Sequence, residues 1–445
     1  MLKTLKRTLI TSKSYLPQLT TLSNGLRVLT HNIPSITGTT GVWVNSGSRY
    51  ESAHTNGVAH YLEHLLCRRA EIDSGGEIAS RLEYLGSQLN AYTSKEISAY
   101  YLFHHYSSQK EMLKLLSDLI TKPQITRSAI SSERMNILSE KQQVESLLDE
   151  QINMLMHHAC FGESTLGRTI LGSEGTISSM RTKHLADYHK KNFIAPRMIV
   201  AAAGPFEHER VVDLSQELFA NLKTKQTENE KKLEIRQLKF PFKGVFQQKQ
   251  FYIPIPEMPV AHYSLLFPSV GWKDYYQCLI ERIIQTNFGN IQTNITSFTN
   301  RVMQNQLALD YTPLMYPYME TGIWTFSVVS NPNSVKGFIT EFLKELEELS
   351  NKPNEKNIMN AKNSLKLSLI LERNDTFQFC DESIKYVFMA NKPPQLQDLF
   401  QQIDQISLKE ISNYAQNWLN GLKSFCYIGP KTDIQSVYKI IYQNK

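Results

Sequence analysis

Apolar residues recur with strand or helix periodicity in the same order in two halves of the chain. In the first half, apolar runs predict strands and amphipathic stretches predict helices, and the second half repeats this alternation. The predicted strands lie at 25–30, 40–44, 97–103, 198–203, 261–267, 322–329 and 424–428. The predicted helices lie at 57–67, 76–85, 107–120, 131–161, 183–192, 275–287, 334–349, 355–372 and 383–389.

The repeat predicts a duplicated fold. Gly204-Pro205 and Gly429-Pro430 each close a predicted strand, and the two pairs lie 225 residues apart. Between the halves, 223–249 is rich in charge and contains helix and strand breakers, which is typical of a linker. We therefore expect an α+β protein of two homologous domains, 16–222 and 250–445, joined by that linker.

Length and composition limit the classes of protein that fit. A chain of 445 residues exceeds what one core usually organises, and 20% charged with 41% hydrophobic residues is ordinary for a folded protein. No apolar run reaches the roughly 18 residues of a membrane-spanning helix, so we expect any membrane association to be peripheral only. The net charge of +6 is spread along the chain, and we expect no nucleic-acid binding. Five scattered cysteines without a C-x-x-C pair argue against disulfides and thiolate metal sites.

The amino-terminal segment has its own charge pattern. No acidic residue precedes Glu51, whereas Lys3, Lys6, Arg7 and Lys13 stand among serines and threonines. This composition is typical of a mitochondrial transit peptide, and 1–15 is the predicted targeting segment. The alternative is a short basic tail of a cytosolic protein.

The predicted helix at 57–67 carries the most specific chemical pattern. His60 and His64 stand four residues apart, so both imidazoles project from one helix face and can share a metal ion. Glu63 flanks that face and could activate a metal-bound water, in the inverted order H-x-x-E-H. The alternative is an amphipathic helix with two ordinary histidines.

A catalytic zinc ion needs a third protein ligand, and the predicted helix at 131–161 offers one. Glu133 and Glu140 lie seven residues apart on a face that is otherwise apolar, with Ser131 or Ser132 as the expected N-cap. Acids on an apolar stripe are unfavourable unless paired, so a metal or a histidine is the expected partner. The alternative is a solvated edge of the stripe.

His60-x-x-Glu63-His64 followed by Glu140 resembles the pitrilysin family of zinc peptidases. The resemblance implies that His60, His64 and Glu140 bind Zn²⁺ and that Glu63 is the catalytic base. It also implies that Glu133 is the acid that supports the ligands during catalysis.

Further segments narrow the resemblance to one branch of that family. This branch contains the beta subunits of mitochondrial processing peptidase and the first core subunits of respiratory complex III. The resemblance implies a two-domain clamshell that removes presequences beside an inactive alpha-type subunit, in the mitochondrial matrix or on the matrix face of the inner membrane. The segments that carry it are 24–28, 45–51, 89–94, 166–172 and 201–204.

The second half indicates which subunit type the chain resembles. The alpha subunit of the branch carries a glycine-rich loop there, but Gly289 is the only glycine between Gly271 and Gly322. The chain therefore resembles the beta subunit. The alternative function is a non-catalytic core subunit of respiratory complex III, whose other subunits would then be its partners.

The resemblance also implies where a presequence peptide binds. Asn90, Ala91 and Tyr92 match positions that hold the substrate backbone as an added strand. The alternative is an ordinary edge strand.

Glu150 matches an acid that contacts a substrate arginine. The companion acid expected four residues later is Met154, and the aromatic residue expected three after His64 is Cys67. We therefore expect arginine recognition to be weaker or differently arranged.

Overall fold

The computed structural model describes residues 16–72, 77–224, 246–393 and 395–442. The predicted targeting segment 1–15 and most of the predicted linker 223–249 lie outside these ranges. As far as it is described, the chain forms two compact units. Of the described residues, the first unit comprises 16–72, 77–141, 168–224, 372–393 and 395, and the second comprises 142–167, 246–371 and 396–442. Segments 142–167 and 372–395 thus each pack with the half to which they do not belong in sequence.

The first unit is built on a six-stranded sheet. Its strands are β1 (Gln18–Thr21), β2 (Arg27–Asn32), β3 (Thr37–Val44), β4 (Gln88–Thr93), β5 (Ser98–His105) and β6 (Met198–Gly204). The order across the sheet is β1-β2-β6-β3-β5-β4, which places β4 at an edge. β2 and β6 are parallel, with Val28 opposite Val200, and the other neighbouring pairs are antiparallel.

Helices cover both faces of this sheet. The longest is α4, and its last residues continue into the second unit. The helices are α1 (Val58–Ile72), α2 (Glu77–Tyr84), α3 (Gln109–Thr121), α4 (Arg127–Ser146), α6 (Glu174–Ser179), α7 (Thr182–Asn192), α8 (His208–Leu218) and α13 (Thr376–Ala390).

Strand β6 shows why the sequence here is a continuous apolar run. Side chains alternate between the two faces of a strand. Val200 lies in the buried cluster that contains Leu62 of α1, whereas Ile199 and Ala201 lie in the cluster that contains Phe379 of α13. Because helices cover both faces, every position of the strand must be apolar.

The second unit repeats this architecture. Its strands are β7 (Gln250–Pro254), β8 (Ala261–Val270), β9 (Asp310–Pro317), β10 (Thr321–Ser330) and β11 (Ser424–Gly429), in the order β7-β11-β8-β10-β9. β7 runs parallel to β11, as β2 does to β6. The helices are α5 (Leu148–Phe161), α9 (Tyr275–Phe288), α10 (Ser297–Gln304), α11 (Val335–Asn351), α12 (Glu355–Glu372), α14 (Leu396–Gln405), α15 (Leu408–Asn420) and α16 (Ile434–Tyr442). The predicted duplicated α+β fold is confirmed.

Aromatic side chains fill the core of the second unit. Trp324 and Trp418 lie with ring centroids 4.6 Å apart, and Phe326 lies 4.7 Å from Phe342. Such pairs add about 0.5–1.5 kcal/mol each to what the burial of their surface contributes.

One predicted helix was wrong. The range 131–161 holds two helices, α4 and α5, because Leu147 adopts an extended conformation with φ −83° and ψ 122°. The predicted N-cap was also wrong, since α4 begins at Arg127 and the Thr126 hydroxyl accepts a hydrogen bond from the Ala129 N–H (3.2 Å). Within the described residues, none of the helices combines the length and the hydropathy needed to span a bilayer.

Candidate metal centre

Helix α1 presents both histidines of the H-x-x-E-H pattern on one face. The ring centroids of His60 and His64 lie 4.6 Å apart. His60 is buried, with 6% of its surface exposed, and Leu62 and Leu66 on the same helix lie in the core. The apolar positions thus fix how the helix is rotated, and that rotation brings the two imidazoles together.

Glu140 of α4 contacts both histidines. Its Oε1 lies 3.4 Å from His60 Nε2, and its Oε2 lies 2.9 Å from His64 Nε2. Hydrogen bonds from His60 and His64 hold the pKa of the Glu140 carboxyl well below its usual range. The carboxylate is therefore ionised near neutral pH.

The three donors fit one zinc ion. One ligand atom from each of His60, His64 and Glu140 lies within 4.8 Å of the others. Ligands about 2.0–2.1 Å from a tetrahedral zinc ion stand roughly 3.4 Å from one another, close to the two contacts of Glu140. Two histidines and one glutamate are also a ligand set of catalytic zinc, which keeps its fourth position open.

Glu133 lies about two turns before Glu140 on α4 and supports this arrangement. Its Oε2 lies 3.4 Å from His64 Nδ1, the ring nitrogen that faces away from Glu140. The Asn136 side-chain amide donates to both oxygens of Glu133, at 3.3 and 3.2 Å. Such a carboxylate fixes the tautomer and the orientation of a ligating histidine.

Glu63 lies on α1 between the two histidines. Its Oε2 is buried and has no hydrogen-bond partner among the residues that the structure describes. Burial, and after it the charge of Glu63, raises the pKa of Tyr100 on β5 well above its ordinary value. A buried carboxylate oxygen without a partner is unfavourable for the fold alone and is typical of a functional group.

Asn90, Ala91 and Tyr92 lie in β4, at the edge of the first sheet. Ala91 contacts the core cluster on the α1 face, whereas Tyr92 contacts the cluster on the α13 face. The Tyr92 hydroxyl donates a hydrogen bond to Asp381 of α13, and burial together with Asp381 raises the pKa of Tyr92 well above its ordinary value. The edge position is thus established, and the substrate-binding role stays a prediction.

Glu150 lies on α5 in the second unit and is partly exposed. Its predicted role toward a substrate arginine stays a prediction, as does the effect of Met154 on the same helix. Cys67 lies on α1, partly exposed, and packs against the core of the first unit.

Two residues near the site are not marked by any sequence motif for their structural role. Asn136 belongs to no motif, although its spacing of three from Glu133 places it within reach on one helix. Glu51 ends the segment 45–51 that resembles the family, and its buried carboxylate also accepts hydrogen bonds from the start of α1. No periodicity signals such a contact, because it joins a loop to a helix start.

Comparison with known proteins places both halves in one family. The chain matches the family described as Insulinase (Peptidase family M16) over residues 27–174 and the Peptidase M16 inactive domain over residues 179–365. All three candidate ligands and Glu63 lie within the first match.

Several relatives that match most of the chain share a name. The mitochondrial-processing peptidase subunit beta of Saccharomyces cerevisiae is 31% identical, over 92% of this chain and 90% of its own length. The subunits of that name from Lentinula edodes and Dictyostelium discoideum are 30% and 29% identical, over 87% and 88% of their lengths. The resemblance to the beta-subunit branch is confirmed.

Solved structures share the fold. A chain of complex III from Candida albicans superposes with a TM-score of 0.79 at 18% identity, covering 95% of this chain and 99% of that one. A protease from Helicobacter pylori also gives a TM-score of 0.79, at 16% identity, over 93% of this chain and 100% of that one. The sequence matches, the shared fold and the convergence of two histidines and a glutamate agree, and the chain belongs to the insulinase family of peptidases, peptidase family M16.

Proposed function

We propose that the chain is a zinc metalloendopeptidase, the catalytic beta-type subunit of a mitochondrial processing peptidase that removes presequences from imported proteins. The observation that carries this proposal is the cluster of His60, His64 and Glu140, with Glu63 on the same helix as the two histidines. The names of the relatives support a processing peptidase of mitochondria. Presequences as substrates, and a location in the matrix or at the matrix face of the inner membrane, follow from the resemblance to the beta-subunit branch.

The donor set accounts for the proposed metal. His60, His64 and Glu140 would hold the zinc ion with two neutral imidazoles and one carboxylate, which together leave a net positive charge on the centre. When bound, zinc supplies a Lewis acid that polarises the scissile carbonyl and makes water more acidic.

The chain's own residues supply the proton transfers. Glu63 accepts a proton from the attacking water at its carboxylate and delivers it to the leaving amine. Glu133, held by Asn136, keeps the His64 ring oriented while charge develops at the site. Glu63 thus acts on the attacking water, and Glu133 acts on a ligand of the proposed metal, while the peptide bond is cleaved.

Edge strand β4 gives the substrate a place to bind. A presequence peptide in extended form pairs its main chain with β4, so Asn90 and Tyr92 hold it through backbone groups that tolerate many sequences. Glu150 then offers a negative charge to the basic residues of the presequence. An alpha-type processing peptidase subunit is the proposed partner.

Replacing Glu63 tests catalysis without removing any of the proposed metal ligands. We expect Glu63→Gln to keep the zinc content of the purified heterodimer and to lower the cleavage rate of a presequence peptide by about 10²–10⁴-fold. Zinc is measured by mass spectrometry and cleavage with a fluorogenic peptide. Glu83→Gln, at an exposed site on α2, is the matched control and should cleave at the native rate. Equal cleavage by native and Glu63→Gln protein would contradict the proposed function.

A structural core subunit of respiratory complex III is the second candidate. The observation that favours it is the fold shared with a chain of complex III over 99% of that chain. In that case the native protein co-purifies with complex III, and neither zinc nor Glu63-dependent cleavage accompanies it. If it co-purifies with complex III and also cleaves, both functions hold.

A further inference from the structure

Two motifs that contribute no metal ligand meet at the start of the metal-binding helix. They are the segment that ends at Glu51 and the segment Arg168–Gly172, and both contact residues 56–59 immediately before and within the first turn of α1. Their contacts explain how that turn is held.

Helix α1 cannot cap itself. Gly57 precedes Val58 and has no side-chain oxygen to accept a hydrogen bond from the first turn, whose N–H groups have no partner within the helix. Glu51 supplies the missing acceptors. Its Oε1 accepts from the Ala59 N–H at 2.8 Å, and its Oε2 accepts from the Gly57 N–H at 2.8 Å. Glu51 is 3% exposed, and its carboxylate lies at the positive end of the helix dipole.

The Arg168–Gly172 segment packs against the same turn from the other side. We call Glu51, Asn56 and this segment the socket of α1. The Asn56 amide donates one hydrogen to Glu51 Oε2 and the other to the Thr169 carbonyl, both at 2.8 Å. A Cβ on Gly57 would lie 2.5 Å from the Leu171 carbonyl oxygen, and a Cβ on Gly172 would lie 2.4 Å from the Asn56 carbonyl oxygen. The two backbones therefore touch, and the first turn has no room to shift.

His60 depends on this turn more than His64 does. Carboxylates contact both ring nitrogens of His64, those of Glu140 and Glu133. The Nδ1 of His60 is buried and has no hydrogen-bond partner among the described residues. Since no hydrogen bond from a described residue holds this edge of the His60 ring, the ring's position depends more on its backbone, one residue after Ala59.

We propose that Glu51 is a positioning residue of the metal centre, which holds the first turn of α1 so that His60 meets Glu140 and His64 with ligand geometry. This inference rests on the proposed zinc centre but not on the cleavage of any substrate. In this role Glu51 is not itself a ligand, and it acts through the backbone of α1.

The test compares two buried carboxylates. Glu51→Gln preserves shape but turns an N–H₂ group toward backbone N–H groups that need an acceptor. The matched control is Glu281→Gln, because Glu281 is also fully buried and also accepts from a backbone N–H, that of Val270 (3.2 Å), in the unit without the ligands. Both variants are made in the complete heterodimer.

We expect Glu51→Gln to weaken zinc binding by about 10–100-fold in competition with a chromophoric chelator, the range seen when residues behind metal ligands are changed. The visible spectrum of the Co²⁺-substituted protein should shift with it, and Glu281→Gln should change neither. Asn56→Ala, which removes one of the three donors to Glu51, should give a smaller loss and serves if Glu51→Gln does not fold.

The outcomes separate this inference from the proposed function. If zinc binds the native and Glu51→Gln proteins equally and the Co²⁺ spectra coincide, the positioning role is overturned while the metal centre stands. If Glu281→Gln weakens zinc binding as much as Glu51→Gln, the effect is one of general stability and the positioning role is likewise overturned. If the native protein binds no zinc, the proposed function fails and this inference fails with it.

Discussion

Helices α4 and α12 hold the same place in the order of elements of the two halves, yet only α4 places an acid in its buried stripe. The buried residues are Ile130, Glu133, Ile137 and Lys141 in α4, and Ile358, Ala361, Lys362, Leu365 and Leu369 in α12. With Lys362 set aside, both stripes have the spacing three, four, four. Ala361 thus takes the place of Glu133, and Ser368 takes that of Glu140. The duplicated pattern specifies packing, whereas the chemistry of the first half comes from a few polar side chains added to it.

Helices α1 and α9 differ in where the cap of their first turn comes from. The Asp274 side chain caps α9 by accepting from the Gln277 N–H (3.3 Å), so that helix carries its own cap. Helix α1 receives its cap from Glu51, six residues before Gly57. A cap from outside the helix ties its first turn to the surrounding loops, which suits a helix that must present ligands at fixed positions.

Removal of Glu140, the proposed ligand on α4, should have the largest effect. We expect Glu140→Ala to weaken zinc binding by more than about 100-fold, beyond the effect of residues behind the ligands, because a carboxylate donor is lost. Ser368→Ala, at the corresponding place on α12, should leave zinc affinity unchanged. Chelator competition measures both, and equal affinities for the Glu140→Ala and native proteins would contradict the ligand assignment.

A substitution at Gly172, in the socket of α1, should have the next largest effect, on the free energy of unfolding. Gly172 has φ +84° and no room for a Cβ, whereas Gly86 has φ +61° and open space around it. We expect Gly172→Ala to lower the free energy of unfolding by about 3 kcal/mol, from backbone strain and overpacking together. Gly86→Ala should cost about 1 kcal/mol, from strain alone. Urea unfolding measures the free energy of unfolding of both variants. Equal losses of stability would show that the contact with Asn56 does not constrain the chain.

The smallest effect concerns the pH dependence of stability. Burial raises the pKa of Glu281 to about 7 from an ordinary 4.5, although Ser269 and Tyr414 donate hydrogen bonds to its carboxylate. The folded state therefore binds more protons than the unfolded state between these values, and stability falls as pH rises from about 4.5 to 7. The two pKa values lie 2.5 units apart, and each unit corresponds to about 1.4 kcal/mol. Because the carboxyl titrates only partly at the two ends of this pH range, we expect Glu281→Gln to flatten the fall by about 2–3 kcal/mol.

The measurement is the free energy of unfolding in urea at several values of pH. Part of the fall should persist in Glu281→Gln, because burial also raises the pKa of Glu51 to about 7. An unchanged slope in Glu281→Gln would show that Glu281 does not titrate in this window.

Much of the fold follows from local pattern. The buried strands appear as apolar runs because helices cover both faces of each sheet, and β6 is the clearest case. Helix periodicity places His60 and His64 on one face of a helix, and the resemblance to the zinc peptidases adds Glu140 as the third ligand. The structure brings these three side chains together.

What could not be predicted depends on contacts between distant segments. Leu147 breaks the predicted helix 131–161 although no proline or glycine marks it, because the two resulting helices pack in different units. Tyr92 bonds Asp381, which is 289 residues away. The cap of α1 by Glu51 escapes local rules for the same reason, since the acceptor comes from a preceding loop.

The position of α13 has a consequence for how the chain is made. One face of the first sheet is covered by this helix, where Asp381 accepts from the Trp43 indole (3.0 Å) and Thr376 bonds Thr39. A nascent chain that has emerged only as far as residue 371 still leaves Trp43 and its neighbours exposed to solvent. The first half therefore finishes folding only after most of the second half has been synthesised. If the first half were expressed alone, an apolar face of its sheet would be exposed.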